Sequence, residues 1–205
     1  MLAISLRIRL ALLLLALSGA LPAVATGQET KIDSDALGGL EARLIGPAVM
    51  SGRIAALDAV PGDRLTVWVG AASGGVWKSV DGALTFKPVF DEGGKSQSIG
   101  AVKIDPKDPK TVWVGTGETW TRNSVSVGDG VYKTTDGGDN WTRLGLENTE
   151  RIARITVDPK DSNVVFVCAT GHLFDDHPDR GVYRTKDGGK TWDKVLFVAN
   201  DTGCS

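Results

Sequence analysis

Three copies of one short pattern constrain this chain more than any other feature of its sequence. In each copy a serine or threonine is followed by an aspartate and an aromatic residue at fixed spacing, and two of the three copies have a glycine between the aspartate and the aromatic residue. Two copies are complete, at Thr134, Asp136, Gly138 and Trp141 and at Thr185, Asp187, Gly189 and Trp192. The first copy, at Ser79, Asp81 and Phe86, has Ala83 in place of the glycine. Copies about 50 residues apart indicate a repeat architecture, in which each unit buries its apolar face against its neighbours.

Each repeat predicts four short strands. The first strand runs into a turn such as 105–108 (Asp-Pro-Lys-Asp), the second is a Val-Trp-Val run, and the third reads Gly-Val-Tyr-Lys-Thr. The fourth follows an Asp-Gly-Gly hairpin, a strong hairpin signal because glycine accepts a positive φ without steric cost. Repeated units of four strands predict an all-β fold, a β-propeller of four-stranded antiparallel blades. About three blades are expected, at 46–95, 96–148 and 149–200, with 201–205 beginning a fourth in an incomplete ring.

The first 25 residues have the features of a secretory signal peptide. Arg7 and Arg9 precede an apolar run at 10–17, and the small residues at 23–25 suit signal peptidase. The run is shorter than the roughly 20 apolar residues that cross a bilayer. We therefore predict cleavage after Ala25, a lead-in at 26–45, and a secreted or periplasmic protein with no membrane attachment after cleavage.

The charge balance argues against nucleic acid as a partner. The chain has 23 basic and 25 acidic residues, a formal net charge of −2. The lysines are scattered through turns, whereas a nucleic-acid-binding domain usually carries a clustered basic face. No cofactor is expected.

The two cysteines leave two alternatives open. Cys168 lies in an apolar strand, which favours a buried free thiol. Export permits a disulfide with Cys204. No cysteine spacing typical of a metal site is present.

Setting aside the repeat positions leaves few residues for a functional site. Because carboxylates recurring at the same turn position indicate scaffolding, the repeated aspartates are interpreted as structural. The residues without a repeat counterpart lie in two long loops that join the second and third strands: Glu118, Trp120 and Arg122 in the second repeat, and His172, Asp175, Asp176 and His177 in the third. Connections of one type lie on one face of a propeller, so the two loops share a face. Long loops on a rigid scaffold are where binding residues concentrate.

Each loop has a functional interpretation and a purely structural one. The first loop would bind a polar ligand through Glu118, Trp120 and Arg122, with the indole as a stacking surface. Alternatively, these side chains pack against their own loop. The second loop would offer nitrogen and oxygen ligands to a metal, or else form a polar surface. It carries no established metal motif, so no metal site is predicted.

The segments at 46–54, 72–78 and 114–118, together with the repeated aspartate pattern, resemble the N-terminal part of exported bacterial sortilin/Vps10-type proteins. These are Asp-box (BNR) repeat propellers, often described as glycosyl-hydrolase-like. The resemblance implies a longer protein with further blades in the same chain, of which this sequence is an N-terminal fragment. Assembly of several chains into one ring is the alternative.

The resemblance implies an exported scaffold that is non-catalytic in this segment and binds a peptide or protein ligand on the loop face. The alternative is the N-terminal part of a secreted, xyloglucanase-like glycoside hydrolase that binds a glycan and has its catalytic carboxylates mostly outside this segment. Tyr132 and Tyr183 share one repeat position, which argues against a sialidase-type tyrosine nucleophile. Catalytic residues and enzymatic activity stay open.

Overall fold

The computed structural model describes residues 53–205. The predicted signal peptide, the lead-in at 26–45 and the first residues of the first blade lie outside this range. The described part consists of twelve strands in three sheets and a single 3-10 turn, Glu147–Thr149. None of its helical segments is long and apolar enough to cross a membrane.

Each sheet is antiparallel, and its four strands pair in sequence order. The first sheet contains β1 (Ile54–Ala59), β2 (Val67–Ala71), β3 (Val76–Ser79) and β4 (Lys87–Pro88). The second contains β5 (Ile99–Ile104), β6 (Val112–Thr116), β7 (Val131–Thr134) and β8 (Thr142–Arg143). The third contains β9 (Ile152–Asp158), β10 (Asp161–Ala169), β11 (Gly181–Thr185) and β12 (Asp193–Leu196). The predicted all-β fold of four-stranded antiparallel blades is confirmed.

The blades are held together by two apolar layers, one at each junction. The first strands of neighbouring blades pack side by side, β1 on β5 and β5 on β9. The layer between the first and second blades is built around Trp68, Phe90 and Ile99, and the layer between the second and third around Trp113, Ile152 and Val165. All six side chains are fully buried. Blade stacking therefore buries apolar surface that a single sheet would leave in water.

The tryptophan that ends each complete aspartate pattern contacts the preceding blade. Trp141 lies edge-on to Trp68, with ring centroids 6.3 Å apart, and its indole N–H donates to the Val89 carbonyl at 2.6 Å. Trp192 repeats both contacts one blade later, with Trp113 at 6.4 Å and the Leu144 carbonyl at 2.7 Å. An edge-to-face pair adds to the free energy gained from burial. The aromatic residue therefore joins two blades.

The repeated aspartates organise the hairpins from within. Asp81 Oδ1 accepts hydrogen bonds from the Ser79 hydroxyl and from the Leu84 and Thr85 amides. Asp81 Oδ2 accepts the Thr85 hydroxyl. Hydrogen bonds from the side chain and backbone of Thr85, and then from Ser79, lower the pKa of Asp81 to about 2. The corresponding bonds lower the pKa of Asp136 and Asp187 as well.

The two cysteines form a disulfide. Cys168 in β10 is bonded to Cys204, with the two Cα atoms 5.7 Å apart. The expectation that Cys168 is a buried free thiol is therefore wrong. The chain after β12 folds back over the third blade and brings Cys204 to β10, where its sulfur also lies 3.4 Å from the Gly181 carbonyl.

We predict that Gly138→Ala lowers the free energy of unfolding by about 2–4 kcal/mol. Gly138 has a φ of 103°, and an added Cβ would lie 3.0 Å from the Trp68 ring and 3.2 Å from Val89 Cβ. The substitution therefore combines backbone strain with overpacking at the blade junction. Urea denaturation measures the change.

Gly62→Ala is the matched control. Gly62 also has a positive φ, 82°, but an added Cβ would meet nothing within 4 Å. Backbone strain alone costs about 1 kcal/mol there. Equal losses in the two variants would contradict the proposed contact of Gly138 with the preceding blade.

Candidate functional site

The long loops lie at the end of the blades opposite the aspartate hairpins. In each blade, the residue after the second strand donates its amide to the carbonyl of the residue that precedes the first strand: Ala72 to Arg53 at 2.9 Å, Gly117 to Ser98 at 2.7 Å and Thr170 to Arg151 at 2.9 Å. The hairpin glycines bond at the other end, as Gly137 does to the Lys110 carbonyl. We call the first end the loop face.

Glu118 and Arg53 form an ion pair on the loop face, across the first and second blades. Glu118 is fully buried, and its Oε1 accepts a hydrogen bond from Arg53 Nη2. The Glu118 amide donates to the Ser98 hydroxyl at 3.0 Å and to the Ser126 carbonyl at 3.3 Å, which fixes the start of the loop. Within residues 53–205, Glu118 Oε2 is buried without a hydrogen-bond partner. Among the described residues, the guanidinium of Arg53 is therefore the group that compensates the charge of this carboxylate.

Trp120 and Arg122 extend from the same loop toward solvent. The Trp120 side chain is 66% exposed, and Arg122 is exposed with a hydrogen bond of 3.3 Å to the Ser124 hydroxyl. Burial, and then the charge of nearby Arg122, lower the pKa of Arg53. The loop therefore presents an exposed indole and an exposed guanidinium close in sequence to the Arg53–Glu118 ion pair.

A second polar cluster lies on the third blade. Glu150 Oε2 is 2.7 Å from both Arg151 Nη1 and His172 Nδ1, and Arg151 is buried. The rings of His172 and His177 pack against each other, with centroids 3.9 Å apart. Burial opposes ionisation of Glu150, but the bonds from His172 and Arg151 outweigh it and hold its pKa below the usual range. Burial, and then the charge of His172, lower the pKa of His177.

The two clusters are contiguous. An added Cβ on Gly117 would overlap the Glu150 carbonyl and lie 2.8 Å from Arg151 Cα, so the second-blade loop begins directly against the third blade. The Gly128 amide, where that loop ends, donates to the Glu150 carbonyl at 2.6 Å. Both loops therefore contact Glu150. We call the four charged residues beneath the two loops the polar floor: Arg53, Glu118, Glu150 and Arg151.

Two further residues predicted for the site, Asp175 and Asp176, do not contact the polar floor. Asp175 and Asp176 are exposed, and the Asp176 amide donates to Asp175 Oδ1 at 2.8 Å within the loop. Across residues 53–205, no group of three or more histidine, cysteine, aspartate or glutamate side chains is arranged to hold a metal ion.

Three residues of these clusters are not among those predicted from the sequence: Arg53, Glu150 and Arg151. A signal for the arginines does exist, because Arg53 and Arg151 each precede the isoleucine that begins the first strand of a blade, where the second blade has Ser98. Their partners come from other parts of the chain, so the ion pairs themselves have no local signature.

Comparison with known proteins places this fold in a class, the Asp-box (BNR) propellers. The Sortilin-Vps10 family model, described as sortilin, neurotensin receptor 3, matches residues 74–204. The chain belongs to the Sortilin-Vps10 family.

Two relatives are xyloglucanases. A probable oligoxyloglucan-reducing end-specific xyloglucanase of Neosartorya fischeri is 32% identical over 130 residues, which are 61% of this chain and 15% of that protein. A xyloglucanase of a Paenibacillus species is 27% identical over 110 residues, which are 50% of this chain and 10% of that protein. The chain thus spans only a small part of the length of these relatives.

Solved propellers share the fold at low identity. An ancestral GH74 enzyme superposes with a TM-score of 0.57 at 19% identity, over 74% of this chain and 19% of that one. The GH74 xyloglucanase of Xanthomonas campestris gives 0.52 at 20% identity, over 71% and 21%. YCF48 of Cyanidioschyzon merolae gives 0.50 at 19% identity, over 75% and 40%.

We predict that Glu118→Gln lowers the free energy of unfolding by about 1–3 kcal/mol, because the amide leaves the Arg53 charge uncompensated. The loss is smaller than for a fully buried pair, since the Arg53 side chain is 30% exposed. Urea denaturation measures it.

Glu147→Gln is the control, because Glu147 pairs with Arg143 at 3.6 Å in an exposed position. Exposed pairs of this kind contribute about 0.5 kcal/mol or less. A Glu118→Gln variant as stable as Glu147→Gln would contradict the stabilising role given to the Arg53–Glu118 pair.

Proposed function

We propose that this chain is an exported, non-catalytic propeller scaffold that binds a peptide or protein ligand on its loop face. Secretion or periplasmic export follows from the predicted signal peptide at 1–25. Membership of the Sortilin-Vps10 family supports this class of ligand. The observation that carries the proposal is the second-blade loop, where Trp120 and Arg122 face solvent two and four residues after Glu118, the buried partner of Arg53.

Pre-organisation of the second-blade loop supports its role in ligand binding. A bound segment loses conformational freedom, and a site whose own groups are already fixed adds little to that cost. The Glu118 amide is held by Ser98 and Ser126, and the loop begins and ends against the third blade. Tryptophan and arginine are the residue types most often dominant in binding energy at protein interfaces. Trp120 and Arg122 are therefore the proposed ligand contacts.

The histidine loop is the proposed second edge of the site. His172 lies on the same polar floor through Glu150, and the exposed aspartates Asp175 and Asp176 follow it. A ligand that crosses from one loop to the other would meet both signs of charge. We assign these three residues a peripheral role in recognition.

The test uses the full-length protein and a random-peptide phage library. Panning is expected to enrich clones whose peptides bind, and Trp120→Ala or Arg122→Ala is expected to weaken their binding about tenfold or more, as measured by calorimetry. Leu84→Ala is the control, because Leu84 is exposed on an aspartate hairpin at the opposite end of the blades. No enriched clone, or clones insensitive to both loop variants, would refute the proposal.

A second candidate function is a secreted glycoside hydrolase of xyloglucanase type. The two xyloglucanase relatives and the GH74 structures favour it. A glycosidase needs a protonated carboxylic acid facing a second carboxylate. On this loop face Glu118 is ion-paired and the pKa of Glu150 is lowered, which is the opposite of what an acid catalyst requires. We therefore place the catalytic carboxylates of this alternative mostly outside the segment.

The alternative predicts that the full-length protein releases reducing sugars from xyloglucan. Glu118→Gln and Glu150→Gln are expected to leave the turnover number within about twofold, because neither carboxylate is placed as the catalyst. A colorimetric reducing-end assay measures the release. No release, under conditions in which a known xyloglucanase is active, would exclude this candidate.

A further inference from the structure

Residues 199–205 lie across the third-blade loop, and we call them the strap. The strap makes a tight turn with a bridge between Ala199 and Thr202. The Asn200 carbonyl accepts the His177 amide at 2.9 Å, and the Cys204 carbonyl accepts the Thr170 hydroxyl at 3.2 Å. The strap therefore contacts the loop at 170–180 near its beginning and again near its end.

Arg180 connects the loop to the strap. Its side chain is buried, and its guanidinium donates to three backbone carbonyls: His172 at 2.5 Å, Asp175 at 2.6 Å and Asp201 at 3.1 Å. A planar guanidinium with five N–H donors can hold several carbonyls at fixed angles, which a lysine ammonium cannot do. In the described part of the chain, Arg180 forms no ion pair with a carboxylate. Its contacts are those of a positioning residue.

The disulfide is the second attachment of the strap. Cys204 is bonded to Cys168, which lies in β10 two residues before Thr170. One end of the strap is thus covalently fixed to the strand from which the loop departs, and its middle is held by Arg180. The loop at 170–180 is enclosed between these two attachments.

We propose that Arg180 and the Cys168–Cys204 disulfide position the loop at 170–180, and that reduction of the disulfide releases the strap and loosens His172 and His177. A dithiol supplies two electrons and two protons. The S–S bond breaks, each cysteine sulfur becomes a thiol, and the dithiol is oxidised to its own disulfide. The link to ligand binding rests on the proposed function, whereas the effect on the loop does not.

Release of the strap changes the surroundings of His177. The His177 side chain is buried, and its amide is bonded to the strap. The charged and titratable groups around the imidazole are His172, Glu150, Asp179 and Arg180. Burial is the main reason that the pKa of His177 lies below 6.5, so hydration of the loop moves this pKa upward.

The test compares the folded full-length protein before and after dithiothreitol. Hydrogen exchange at 170–180 is expected to become about tenfold faster or more on reduction, while β5 and β6 keep their protection. The His177 ring proton, followed by NMR, is expected to titrate at higher pH. Cys204→Ser should reproduce both changes without reductant, and Arg180→Lys should reproduce them with the disulfide intact. Unchanged exchange and unchanged titration after reduction would overturn the proposal.

The link to binding has its own measurement. Peptides enriched on the oxidised protein are expected to bind the reduced protein about threefold to tenfold more weakly. If exchange accelerates while peptide affinity stays the same, the loop is not part of the ligand site and that link is overturned. Loss of affinity in Trp120→Ala would still support the proposed function, so the two failures are distinguishable.

Discussion

The contact between a hairpin tryptophan and the second-strand tryptophan of the preceding blade is the interaction on which this structure depends. Trp141 on Trp68, and Trp192 on Trp113, each close an apolar layer between two sheets and end in an indole hydrogen bond to the preceding blade. A single four-stranded sheet has no second layer that covers its apolar face, so each blade needs a neighbouring blade. The third-blade counterpart of Trp68 and Trp113 is Phe166, which pairs with Arg184 as Trp68 pairs with Lys78 and Trp113 with Lys133.

The repeat made most of the fold predictable. Strand order, hairpins and the placement of the long loops follow from a pattern that recurs three times, since each copy tests the interpretation of the others. The direction of the tryptophan contacts was not predictable in the same way, because Trp68 and Trp141 belong to different repeats. The disulfide depends on how residues 199–205 fold back over β10, and nothing in the local sequence around Cys204 specifies that path.

In each ion pair of the candidate site, only one of the two residues could be predicted from the sequence. Removing the repeat positions singled out Glu118 and His172, because neither has a counterpart in the other blades. Their partners Arg53 and Glu150 lie just before the first strand of a blade, and no local sequence pattern marks them as partners of Glu118 and His172. A carboxylate that lacks a repeat counterpart therefore points to a site, but the group that compensates its charge is identified only when the blades are assembled.

The ion pairs of the polar floor fit the proposed ligand-binding role better than a role in proton transfer. An acid catalyst needs a carboxyl whose protonated form is favoured, usually by burial without a positive partner. Glu118 is buried opposite Arg53, and Glu150 accepts from Arg151 and His172, so both are arranged as fixed hydrogen-bond acceptors. Breaking either pair to protonate the carboxyl would leave a guanidinium unpaired near the protein interior, which is costly. Carboxylates held in this way are fixed hydrogen-bond acceptors, which suits the proposed role of a surface that holds a ligand in one orientation.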